Sequence, residues 1–105
     1  MLEKLNEKSI NTLVDAILSL KTKEECCNLL EDLCTISEIK AMAQRIEVAE
    51  MLDEKVVYSD IVRKTGASTA TISRVNRALN YGAGGYRAVL DRLCPKEKPY
   101  GGEEK

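Results

Sequence analysis

The side chains with the most suggestive chemistry lie in residues 58–79, and their spacing points to recognition rather than catalysis. If residues 68–79 are helical, Ser68, Thr69, Ala70, Ser73, Arg74 and Arg77 gather outward on the helix, opposite an apolar stripe. Short side chains in the first turn let that end come close to base edges in a DNA major groove, which is wide enough to admit a helix. The free amides and positive dipole end of the same turn suit a phosphate. Arg74 and Arg77, farther along, can reach phosphates or the acceptor edge of guanine. Arg63 and Lys64, just upstream, complete the candidate contact set for double-stranded DNA. The sequence has no histidine, no phosphate-cradling glycine loop and no nucleophile–base arrangement, so an enzyme is the weakest reading. Gly82-Ala83-Gly84-Gly85 is no dinucleotide fingerprint, because nothing before it reads as a strand.

Such a face needs two helices meeting at a sharp turn. The first starts at Tyr58 or Ser59 and ends at Thr65. Gly66 follows, where the turn requires a positive φ that glycine adopts without a Cβ penalty. Ser68 is placed to cap the second helix, which is expected to run to about Leu79. Ile72, Val75 and Leu79 repeat at three and four and face inward, toward Ile61 and Val62 of the first helix and Ala67 of the turn. The unit reads as a helix-turn-helix, a pattern that also occurs in unrelated helical bundles.

Charge is distributed to match. The chain of 105 residues has a net charge of only −1. Residues 1–54, however, carry six Lys/Arg against twelve Asp/Glu, a net of −6. Residues 55–92 carry seven Lys/Arg against two Asp/Glu, a net of +5, and the last 13 balance at zero. An acidic body with one basic segment is expected when a single face meets a polyanion. A merely solvated basic face is the alternative.

The rest of the chain reads as helices. With four Tyr, no Trp and no Phe, the core must come from Leu, Ile, Val, Ala and Met, which suits helices better than a sandwich of strands. A first helix over about residues 4–20 carries Ile10, Leu13, Val14, Ile17 and Leu18 on one face. Thr22 and Glu25 form a capping box for a second helix, which ends near Leu33 and buries Cys26, Leu29, Leu30 and Leu33. Thr35 and Glu38 do the same for a third helix, residues 36–53, whose apolar positions from Ile39 to Leu52 cover more than one stripe. So much apolar surface on so short a chain calls for a second copy, and a twofold homodimer is the commonest solution. A monomeric bundle is the alternative. Glycines from Gly82 break the helix after Tyr81, and a last helix from Tyr86 to Leu93 buries Val89, Leu90 and Leu93. Packing across that glycine turn is the expected role of Tyr81 and Tyr86. One domain over 1–94 is expected, with 1–54 as dimerisation helices and 95–105 as a mobile tail. The cysteines, Cys26, Cys27, Cys34 and Cys94, lack metal-site spacing and read as small core hydrophobes, so no metal or other cofactor is expected. With neither a signal-peptide pattern nor a run of about 18 apolar residues, a cytoplasmic protein without membrane attachment is expected.

Residues 35–93 resemble the Trp repressor superfamily, and more closely the Trp-repressor-related YerC/YecD family of bacterial proteins. The resemblance is carried by Met42-Ala43-Gln44-Arg45-Ile46-Glu47-Val48-Ala49, by Thr65 through Val75, and by Leu79-Asn80-Tyr81-Gly82 followed by Gly85-Tyr86. It implies an all-α, six-helix fold and an intertwined dimer whose recognition helices face successive major grooves, roughly 34–36 Å apart. It also implies a candidate corepressor pocket at Thr35, Arg45, Thr71 and Arg74. Two positions depart from the tryptophan-responsive pattern. Val75 stands where the family has a glycine, and Ala78 where it has a serine. The valine would intrude where an indole must lie, and the lost hydroxyl leaves a ligand ammonium without a partner, which argues against tryptophan. In one reading Val75 fills the pocket and holds the recognition helix in place. Helix capping for Thr35, and an ion pair with Glu38 or Asp53 for Arg45, are the structural readings preferred here.

The leading expectation is a sequence-specific transcriptional regulator, in particular a repressor. The alternatives are a dimeric protein-interaction module and a DNA-binding protein of replication control.

Overall fold

In the computed structural model, which describes residues 7–94, local hydrogen bonding divides the chain much as the caps predict. Six α-helices form: α1 (Lys8–Leu18), α2 (Lys23–Leu33), α3 (Ile36–Asp53), α4 (Tyr58–Thr65), α5 (Thr69–Tyr81) and α6 (Gly85–Leu93). Among the described residues there is no strand. Helix α1 is shorter than expected, and residues 4–6 of that expectation, like the tail from 95, lie outside the described residues. The chain divides into two compact units, Met1–Ile39 and Lys40–Lys105, with the division inside α3.

In the first unit the caps carry the order. The Glu25 N–H donates to the Thr22 hydroxyl at 3.1 Å, while the Glu25 carboxylate accepts from the Lys21 N–H, one residue before the cap. Thr35 and Glu38 make the reciprocal box: the Thr35 N–H donates to Glu38 Oε1 at 2.8 Å, and the Glu38 N–H donates to Thr35 Oγ1 at 3.1 Å. Neither α1 nor α2 contains a fully buried residue. Leu33, expected inside, is 55% exposed, and Leu13, Val14, Ile17 and Leu18 are exposed as well. Periodicity tells which side of a helix is apolar; it does not say that one chain covers it.

The second unit has the core. Val48 and Ala49 of α3, Ile61 of α4, Ala67 of the turn, Ile72 and Val75 of α5 and Leu90 of α6 are buried together. Each large aliphatic removed from water there contributes about 1.5–3 kcal/mol. Met51, Leu52, Val56, Val62, Leu79 and Tyr86 pack around them. Of the stripe expected on α6 only Leu90 is buried; Val89 is exposed and Leu93 is 68% exposed. Tyr86 packs as expected, but Tyr81 does not: at 87% exposed it stands in solvent. The broad apolar arc of α3 is likewise only partly used, with Val48 and Ala49 inside and Met42 and Ile46 exposed.

Helix α3 ends on a left-handed residue, Lys55 at φ 67°. The Lys55 N–H donates to Leu52 O and the Val56 N–H to Met51 O, the paired bonds of a Schellman ending, here without the usual glycine. After α5, Gly82 is required for close approach, since a Cβ there would collide with the Ala78 carbonyl oxygen. Arg87 ties α6 to the end of α3, donating to Asp53 at 2.8 Å and to Asp91 at 3.3 Å. These bonds raise its pKa above the ordinary arginine value, Asp53 contributing most. All four cysteines are free. They are not core residues: Cys27 is exposed, Cys26, Cys34 and Cys94 are half-buried, and the Cys94 thiol donates to a Glu50 carboxylate oxygen at 2.9 Å.

Candidate nucleic-acid interface

The turn between α4 and α5 is built from three short-range devices. Gly66 takes φ 75°, ψ 3°, and its N–H closes α4 by donating to Val62 O at 2.9 Å. The Thr65 hydroxyl donates to Ile61 O at 2.7 Å and accepts from the Ala67 N–H at 3.1 Å. Ser68 then caps α5, its Oγ accepting from the Thr71 N–H at 3.1 Å and donating to the Thr71 hydroxyl at 3.1 Å. Ala67, between glycine and cap, is driven into the core and holds the turn down.

This arrangement gives α5 two faces. Ile72 is fully buried and Val75 is 3% exposed. Ser68, Thr69, Ala70, Ser73, Arg74 and Arg77 are all exposed, as are Arg63 and Lys64 at the end of α4. Ser73 and Arg74 lie three and four residues after Ala70, and Arg77 lies four and three residues after them, so the four share the outer face. Among the described residues Lys64, Arg74 and Arg77 have no ion-pair partner, while Arg63 pairs at the surface with Asp60 at 3.2 Å. Arg87 is the basic residue whose charge is spent internally, on Asp53 and Asp91. Small groups near a free helix N-terminus, followed by unpaired guanidinium groups, can follow a groove floor while meeting phosphates on its rim.

Behind this face, Arg45, Thr71 and Arg74 line a groove of about 520 Å³ together with Ala41, Gln44, Val75, Ala78 and Tyr86. Three of the four residues expected in a ligand pocket thus meet. The fourth, Thr35, belongs to the first unit, where it caps α3. Val75 lines this groove and does not close it. Arg45 has no ion pair among the described residues; Glu38 is engaged in the α3 capping box and Asp53 with Arg87. The sequence spacing gave no sign of one further contact, a bond from Gln44 Nε2 of α3 to the Thr65 carbonyl at 3.1 Å. Its partners are 21 residues apart, beyond any local pattern.

The Trp repressor protein family model matches residues 8–94. The chain is 54% identical over 96 residues to YerC, an uncharacterised protein of Bacillus subtilis (strain 168), covering 91% of this chain and 92% of that protein. A crystal structure of a TrpR-like protein from Eubacterium eligens ATCC 27750 superimposes with a TM-score of 0.84 at 55% identity, covering 91% of this chain and 99% of the other. A candidate Trp repressor from Staphylococcus aureus gives a TM-score of 0.85 at 43% identity, covering 93% and 98%. With the match extending from α1 to the end of α6 and the six helices superimposing on solved relatives, the chain belongs to the Trp repressor family.

Proposed function

We propose that the chain is a sequence-specific DNA-binding transcriptional regulator, acting as a homodimeric repressor and not as an enzyme. The observation that carries this reading is the two-faced α5. Its inner face is locked in the core by Ile72 and Val75, and its outer face offers small residues and then the unpaired Arg74 and Arg77. Membership of the Trp repressor family supports the same class of function. Residues 58–81 act as the DNA-binding helix-turn-helix, with Ser68, Thr69, Ala70 and Ser73 near base edges and Arg63, Lys64, Arg74 and Arg77 at phosphates or guanine.

The exposed apolar side chains support the dimer. Leu13, Val14, Ile17, Leu18, Leu33 and Ile36 in the first unit, and Met42, Ile46, Val89 and Leu93 in the second, are exposed apolar side chains that a second copy would cover. Residues 1–54 are the proposed dimerisation segment of a single functional domain. Among the described residues no helix is long and apolar enough to cross a membrane.

Binding is proposed to be independent of tryptophan. Val75 belongs to the core and anchors α5 through its own side chain, and Ala78 on the groove wall has no hydroxyl for an ammonium. Selection of bound sequences from a random duplex pool, with and without amino acids, tests the whole reading. A twofold-symmetric consensus obtained without tryptophan is the expected result. Absence of any duplex binding that weakens with salt would remove it.

A further inference from the structure

The carbonyls of a helix's last turn have no partner inside the helix and must find one elsewhere. At the end of α4 the Thr65 carbonyl finds the side-chain amide of Gln44, at 3.1 Å and in half-buried surroundings. The bonds made by the Thr65 hydroxyl and the Gly66 N–H stay within residues 61–67, so they shape the turn without attaching it to anything else. The Gln44 bond attaches it to α3. Gln44 also lines the groove that Thr71 and Arg74 border, so it is bonded to the turn and shares a groove with the start of α5.

We propose that Gln44 is a positioning residue for the outer face of α5. By holding the Thr65 carbonyl it fixes where the chain turns, and so the angle at which Ser68 launches the helix bearing Arg74 and Arg77. Gln44 touches no DNA in this scheme. The inference rests on the DNA-binding reading above.

Two variants of the full chain test it. Gln44→Met keeps the length and removes the donor; Gln44→Glu keeps the shape and turns an acceptor toward the carbonyl. Each is measured for duplex binding over a salt series, using the selected consensus, and for residue-resolved amide hydrogen exchange without DNA. Faster exchange at Gly66 and Ala67, with the amides of α6 unchanged, is expected in both. Duplex affinity should fall about tenfold, which corresponds to about 1.4 kcal/mol. The slope of log affinity against log salt should stay as in the wild type, since no phosphate contact is removed. Wild-type affinity in both variants would overturn the inference. So would an exchange increase spread evenly over the chain, which marks general loss of stability rather than a released turn. If the wild-type chain itself bound no duplex, the functional reading would fall, and the exchange pattern would still decide whether Gln44 holds the turn.

Discussion

Replacing Gly66 isolates the contribution of one backbone conformation. The residue sits at φ 75°, and a Cβ added there meets no atom within 4 Å. Steric crowding by neighbours therefore drops out, and the cost of Gly66→Ala is that of an L-residue in the left-handed region, about 1–2 kcal/mol. Alanine also restricts the unfolded chain, which offsets about 0.4–1 kcal/mol. The net loss expected is about 1 kcal/mol, or roughly 4–8 °C in Tm for a chain of this size. Gly66→Val should cost more, because branching at Cβ makes the region less accessible, and Gly66→Asn less, because asparagine tolerates it. Thermal and urea unfolding at one fixed protein concentration measure this, the fixed concentration removing any contribution from association. Duplex binding should weaken in the same order, Asn, Ala, Val, because the same turn sets the start of α5. If Gly66→Ala unfolded with the wild type, or Gly66→Asn proved worse than Gly66→Ala, the left-handed turn would not be what the glycine provides.

Arg74→Ala and Arg77→Ala should each weaken duplex binding by about 1–3 kcal/mol if they contact bases; a phosphate contact would instead lower the salt slope by about 0.9, and a titration over salt separates the two. Ser68→Ala removes the acceptor for the Thr71 N–H and should destabilise by about 1 kcal/mol in urea unfolding, with Ser68→Asp retaining most of the stability. The bond to the Glu50 carboxylate, together with burial, raises the Cys94 thiol above its ordinary range. Because the folded value is the higher one, the bond's contribution is complete below the unfolded thiol's value and is lost as pH rises through the folded value. Glu50→Gln should therefore speed alkylation of Cys94 at mildly alkaline pH and flatten the alkaline fall in stability; an unchanged alkylation rate would refute the assignment.

Features legible in the sequence were those whose cause lies within a few residues. Thr22, Thr35 and Ser68 cap helices as their spacing indicates, and Gly66 takes the left-handed turn. Ile61, Ala67, Ile72 and Val75 are buried, as a close-packed pair of helices requires. What escaped depends on partners distant in the chain. Arg87 and Asp53 are 34 residues apart, and Gln44 and Thr65 are 21 apart, so no local spacing reveals either contact. Lys55 was hidden for another reason: it takes a conformation usually given to glycine, so its residue type signals nothing. Leu33 and Leu93 show the remaining limit, that an apolar residue at the right period need not find a cover within its own chain.

The division of α5 into a buried and an open side has an evolutionary consequence. Ala70 and Ser73 project away from the residues that keep the chain folded, so they can be exchanged with little loss of foldedness. Target preference can then drift, or be engineered, over one fixed scaffold, while changes at Ile72 or Val75 must first pass the test of whether the chain folds at all.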